Sequence, residues 1–403
     1  MTFGSASRGA HSQAIGSDMA TKTHRVEAVD FWRGFVLIAI LCDHIPGNLI
    51  DKITPRNFGF SDSAEAFVFL SGFSVALAYY RKAADWRGVA QRCLSRALRI
   101  YGVHIAVTVA ALVVFAAAYA VCEAPDLIEA HGRAFVFHSP LQGGVGVALL
   151  TQQLGYVNIL PMYVVLMLWA PVVLAMARRS LLLTLGVSIA IYVAARFGLA
   201  LPNWPEPGTW FFNPFAWQLI FTLGVVACIL WRDAPLPFSP AVMAVSIAGL
   251  AFAAAAVTDA GGLAPGLRDA AFGGLDLPKQ NLGLGRLLHF MMLAYVIAQT
   301  PRLAALAKSG LGQAFQQLGR HSLAIFALGS VLSCLGQATL SVAEAQFSLG
   351  AEIVGPLYTL FGIIGLFLFV RYLEWNKPSA ERRLVPAGNS LSTAWPASSR
   401  PSP

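Results

Sequence analysis

The chain has 403 residues, of which 57% are hydrophobic and only 12% charged, with a mean hydropathy of +0.63. A soluble domain carries about 25% charged residues, so this composition excludes an ordinary soluble enzyme, a disordered chain, a collagen-like fibre and a disulfide scaffold, and leaves a polytopic α-helical membrane protein. The net charge of +8 does not point to nucleic acid, because Lys and Arg sit in short loops between apolar runs, where membrane topology puts them.

The first 24 residues are polar and lack the apolar stretch of a cleavable signal. They are expected to form a flexible cytoplasmic tail, as are residues 376–403, both rich in Ser, Ala and Pro. Residues 25–375 read as one membrane domain. Ten apolar stretches lie near 34–50, 63–80, 98–120, 157–177, 181–200, 212–231, 240–258, 287–300, 322–341 and 353–372. These are continuous blocks rather than alternating strands, which excludes an outer-membrane barrel. The stretch 131–156 carries Pro140 and the pair Gly143-Gly144, so a re-entrant or interfacial segment is expected there. With both termini inside, 21 of the 28 Lys and Arg fall in inner segments, 6 in outer segments and Arg196 within a span. That asymmetry supports ten spans. The five cysteines are scattered and form no CxxC, so no metal or redox motif is read from them.

An ionisable residue in a membrane span costs about 2.5–3.5 kcal/mol on insertion scales unless it is paired or wet. The first span holds Asp43 and His44, with Arg33 at its inner entrance and Asp30 three residues before it, within pairing reach. Eleven residues separate Arg33 from His44, almost three helical turns, so the two share a face about 16 Å apart along the axis, with His44 near mid-depth. Asp62 and Glu65 open the second span, where Glu65, Phe69 and Gly72 share a face and Ser71-Gly72 offers a small surface. Arg286 and His289 open the eighth span from the same side. Three spans thus bring carboxylate, imidazole and guanidinium to similar depth, the arrangement expected of a membrane active site. On the inner side, Arg92, Arg96 and Arg99 form one basic stripe at i, i+4, i+7. Arginines there serve topology, or they bind a phosphate-rich ligand. His104 reads as a packed interhelical hydrogen-bonder.

Four stretches carry a family resemblance. RVEAVDFWRGFVLIAILCDH (25–44), with Asp30, Arg33 and His44, resembles the opening of integral membrane acyltransferases. FGFSDSAEAFVFLSGF (58–73) looks like their second-span signature, RALRIY (96–101) like the entry to the third, and LGRHSLAIF (318–326) like a late LGR-x-S motif. Asp-His together with SD-x-AE-x-FVFLSG resembles the OpgC family, which is associated with succinylation of osmoregulated periplasmic glucans. The resemblance implies a multi-pass bacterial inner-membrane O-acyltransferase with an acyl-CoA donor, succinyl-CoA first, on the cytoplasmic side and a periplasmic glucan acceptor. No metal is implied.

On that reading His44 is the general base, and Asp43 or Glu65 its partner, with Glu65 better placed to meet it across helices. Arg33 and Asp30 organise the inner end of the site. Arg92, Arg96 and Arg99 hold the CoA phosphates, and the pantetheine arm passes Ser71 and Gly72. Asp62, Arg286 and His289 bind the acceptor or the free carboxylate of a succinyl group. The alternatives are an acetyltransferase acting on another envelope polysaccharide, a proton-coupled transporter using Asp43, His44 and Glu65 as a relay, and a scaffolding subunit.

Overall fold

A computed structural model of the chain describes residues 27–45, 47–82, 85–233 and 236–376. The two expected tails, apart from Asn376, lie outside these residues. The described residues are mostly helical: α1 (Glu27–Asp43), α2 (Ser63–Tyr79), α3 (Trp86–Cys122), α4 (Asp126–Glu129), α5 (Ala134–His138), α6 (Pro140–Ala148), α7 (Ile159–Arg179), α8 (Leu181–Arg196), α9 (Pro214–Asp233), α10 (Pro240–Val257), α11 (Leu267–Gly274), α12 (Leu284–Gln299), α13 (Pro301–Leu306), α14 (Gly310–Arg320), α15 (Ser322–Phe347) and α16 (Ala351–Trp375). The protein is an all-α polytopic membrane protein. Seven of these helices (α2, α3, α7, α9, α10, α15 and α16) are long and apolar enough to cross a membrane, and α8 and α12 are shorter apolar helices at the fifth and eighth expected spans.

The first expected span is displaced. The stretch 34–50 becomes a helix over Glu27–Asp43, seven residues earlier at each end. Glu27 and Asp30 sit in its first turn, favourable at the positive end of the helix dipole. Pro46 disfavours helix at the residue before it, and Gly47 turns the chain at φ +82°. His44 is therefore the first residue beyond the helix, not a residue within it. The stretch 131–156 folds into α5 and α6, of five and nine residues, joined by turns. Neither is long enough to span a bilayer, which takes about 20 residues.

Helices α7 and α9 form the centre, with 67% and 72% of their apolar windows buried, whereas α3, α10 and α16 bury 28%, 22% and 28% and leave their remaining apolar faces for lipid. Trp217 and Phe221 of α9 are fully buried at the core. Helix α2 lies directly against α9. At Gly72 the two backbones approach so closely that a Cβ would overlap the Phe221 carbonyl. Helix α14, strongly amphipathic, packs its apolar side on α1 through a similar contact between Gly34 and Phe315.

The loops sort into two ends. At one, Asp43 meets Arg56, Asp62 meets Lys279, Arg196 meets Asp276 and Gln337 meets His44. At the other, Arg33 meets Ser322, Arg178 meets Tyr80 and His321 meets Glu374.

Candidate active site

At the far end of α1, Asp43 is buried and its Oδ1 lies 3.5 Å from Arg56 Nε. Arg56 also donates to the Asp43 carbonyl (3.3 Å) and to Asp51 Oδ1 (2.5 Å). Asn48 ties the turn together, donating to the Ile45 carbonyl and accepting from the Asp51 N–H at 2.9 Å. His44 emerges from this turn half-buried. Gln337 Nε2 of α15 donates to its carbonyl (2.8 Å). Its ring meets Tyr156 edge-on, with centroids 4.9 Å apart, and its Nδ1 is buried with no hydrogen-bond partner among the described residues. The charges whose field reaches it are those of Lys279, Asp62 and Arg56.

The second cluster explains the SD-x-AE pattern. Asp62 is the N-cap of α2: its Oδ1 accepts from the Ala64 N–H, while Glu65 Oε2 accepts from the Asp62 N–H, both at 2.8 Å. This is a capping box with carboxylates in both roles. Lys279 Nζ lies 2.6 Å and a terminal Arg286 nitrogen 2.9 Å from Asp62 Oδ2, and Arg286 Nε lies 2.7 Å from Glu65 Oε1. Burial alone would raise the Asp62 carboxyl, but the Lys279 and Arg286 cations outweigh it and hold it well below the usual carboxylate range.

Two expectations are corrected here. Glu65 does not meet His44, because one oxygen is held by Arg286 and the other by the N-cap N–H. Arg286 and His289 do not present open binding groups either. Arg286 closes the carboxylate pair, and the buried His289 has Nδ1 2.7 Å from the Ser61 hydroxyl while accepting from the Ser61 N–H at 3.3 Å. Sequence distance hid this arrangement, since Lys279 and Arg286 stand more than two hundred positions from Asp62.

At the opposite end of α1 lies a cavity of about 220 Å³. Arg33 of α1, Ser71 of α2, Arg96 of α3, Tyr163 of α7 and Ser322 of α15 contribute its polar wall, and Phe67, Ile100 and Phe326 part of its apolar wall. Arg33 donates to the Ser322 hydroxyl, and Ser71 Oγ donates to Tyr163 Oη at 3.3 Å. Asp30 lies 3.7 Å from Arg320 of α14, close outside. Arg33, Ser71 and Arg96, chosen on separate motifs, are thus brought to one chamber. Gly72 is not in it: the residue faces α9, a packing role. Arg92 and Arg99 are exposed on the same face of α3 as Arg96, and Arg92 lies 3.9 Å from Asp85.

Tyr156, Arg56, Lys279 and Tyr163 were not singled out from the sequence, and none carries a local motif. Ser322 stood within LGRHS, and its role as partner of Arg33 was the signal that motif held. His104 is fully buried on α3, but among the described residues neither ring nitrogen has a hydrogen-bond partner, so the interhelical bond expected of it is not made. No group of three or more His, Cys, Asp or Glu among the described residues could hold a metal ion.

No curated relative and no solved structure matches the chain. A family model described as OpgC protein matches residues 25–378, which takes in the far-end turn of His44, the capped carboxylates of α2, the Arg33 cavity and the LGRHS segment. By that match over nearly its whole length, the chain belongs to the OpgC protein family and is a multi-pass membrane protein of acyltransferase type.

Proposed function

We propose that this protein transfers an acyl group, succinyl first, from an acyl-CoA on the cytoplasmic side to hydroxyls of a periplasmic glucan, across the inner membrane. The observation that carries this reading is the division of α1 between two chemical environments. Arg33, beside Arg96 in a walled cavity, stands at one end. His44, half-buried and with Nδ1 unpartnered among the described residues, stands at the other, about 16 Å away by helical rise. A basic, partly apolar chamber suits the phosphates and pantetheine arm of a CoA thioester. Arg96 is the first residue for the phosphates, with Arg92 and Arg99 on the exposed approach, and Ser71 lines the way in.

In the reaction, His44 takes the proton of a glucosyl hydroxyl as its oxygen attacks the thioester carbonyl. The tetrahedral intermediate collapses, the C–S bond breaks, and the imidazolium returns the proton to the departing thiolate, giving the ester and free CoA. Asp43, clamped by Arg56, fixes the turn that aims His44. The capped pair Asp62 and Glu65, with Arg286 and Lys279, supplies a rigid charged floor beside it.

The test is mass spectrometry of periplasmic glucan from cells with and without the protein. Succinyl increments that appear only with it establish the transfer, and acetyl increments change the donor and keep the mechanism. Unaltered glucan rejects the glucan acceptor.

A further inference from the structure

Residues 199–213, between α8 and α9 at the His44 end, form a braced loop. The segment Leu201-Pro-Asn-Trp-Pro-Glu-Pro-Gly-Thr209 holds three prolines, which pre-set the backbone. Asn203 crosses it twice, its N–H donating to the Gly208 carbonyl (2.9 Å) and its Nδ2 to the Thr209 carbonyl (3.0 Å). The backbone of Trp204 is clasped by Thr151, whose carbonyl accepts the Trp204 N–H and whose hydroxyl donates to the Trp204 carbonyl at 2.8 Å. Trp204 as a whole remains 45% exposed.

Beside it stands Glu206, half-buried. Its Oε2 accepts from Gln152 Nε2 at 3.0 Å. Gln152 is 1% exposed, also donates to the Gly132 carbonyl (2.7 Å), and leaves its own Oε1 without a partner among the described residues. Aromatic anchoring at the membrane interface accounts for an exposed Trp. It does not account for a buried carboxamide spent on aiming a carboxylate next to it, with an acceptor oxygen left over, since buried polar groups carry a cost when unpaired.

The position connects to the chemistry. A Cβ at Gly132 would lie 3.4 Å from Glu206 Oε2. The adjacent His131 meets the Tyr156 ring at 4.9 Å, and the other side of the contact chain is Tyr156 against His44, again 4.9 Å. Contacts therefore link the loop that carries Trp204 and Glu206 to the base through Gly132, His131 and Tyr156.

We propose that Trp204 and Glu206 form a saccharide subsite that holds a glucosyl unit of the acceptor near the one that reacts. The apolar face of a pyranose ring lies on the indole, and Glu206 accepts from its hydroxyls, a charge-assisted bond of the stronger kind. The ligand class is a neutral sugar chain. The subsite rests on the acceptor reading given above and has its own test.

The probe is unsubstituted periplasmic glucan from cells lacking the protein, added to the full-length protein in detergent with acyl-CoA as donor. Trp204→Ala is expected to raise the KM for glucan by about tenfold, with kcat at saturation and the KM for acyl-CoA unchanged. Trp204→Phe keeps most of the affinity and serves as the folding control, and Glu206→Gln raises the same KM severalfold. Glucan quenches the indole fluorescence of the wild-type protein and of His44→Ala, and quenches Trp204→Ala much less. An acceptor KM in Trp204→Ala within twofold of wild type overturns the subsite while leaving acyl transfer standing. Wild-type protein that neither acylates nor binds glucan overturns both.

Discussion

The Tyr156 ring meets His44 edge-on with centroids 4.9 Å apart, and Tyr156 itself sits in the left-handed region at φ +71°. His131, which packs on the same ring, is also left-handed, at φ +59°. Such conformations cost of order 1–3 kcal/mol each in non-glycine residues. With Nδ1 of His44 unbonded among the described residues, this aromatic contact is what orients the imidazole. Tyr156→Ala is therefore expected to lower kcat for acyl transfer by about 10–100-fold with the donor KM unchanged, because small misplacements of a catalytic group carry penalties of that size. Tyr156→Phe keeps the ring and should stay near wild type. Steady-state kinetics on both variants decide it.

His44→Ala should insert and fold normally and lose acyl transfer by about 10²–10⁴-fold, the range for a general base. The check is turnover of purified protein beside its thermal unfolding profile. Normal turnover would remove His44 from the mechanism.

Arg96→Ala should raise the KM for acyl-CoA and weaken its dependence on salt, since Arg96 lines the cavity. Arg99→Ala, on an exposed position outside it, should do so less. Donor titrations at two ionic strengths compare them directly.

Arg286→Ala leaves Glu65, which has no exposed surface, without its cation and should destabilise the protein by about 3–5 kcal/mol, the scale for breaking a buried pair. Adding Glu65→Gln in the double variant should recover part of that loss, because the uncompensated charge is removed. Unfolding temperatures in detergent provide the measure.

Gly72→Ala drives a methyl into the Phe221 carbonyl and should disrupt the α2–α9 contact, whereas Gly102→Ala on α3 meets nothing within 4 Å and should stabilise by up to about 1 kcal/mol through helix propensity. Expression level and thermal unfolding of the two variants separate packing from propensity.

The apolar runs and the placing of Arg33 and His44 toward opposite ends of one apolar segment were legible in the sequence, because hydropathy and helical period are local properties read over a few residues. The same local logic pointed to Arg33, Ser71 and Arg96, and the packing of three helices brings them to one cavity. The partners of the ionisable groups were decided only by tertiary structure. Glu65 was expected to face His44, but its carboxylate is satisfied by its own helix cap and by Arg286. Gly72 offered a small surface open to a thin ligand or to a neighbouring helix, and it is α9 that takes it. Tyr156 and Trp204 carry no motif, and their relation to His44 depends on turns that reverse the chain. A buried charge pairs with whatever the fold brings within about 3 Å, and that distance is set by how the apolar helices pack against one another, which no single stretch encodes.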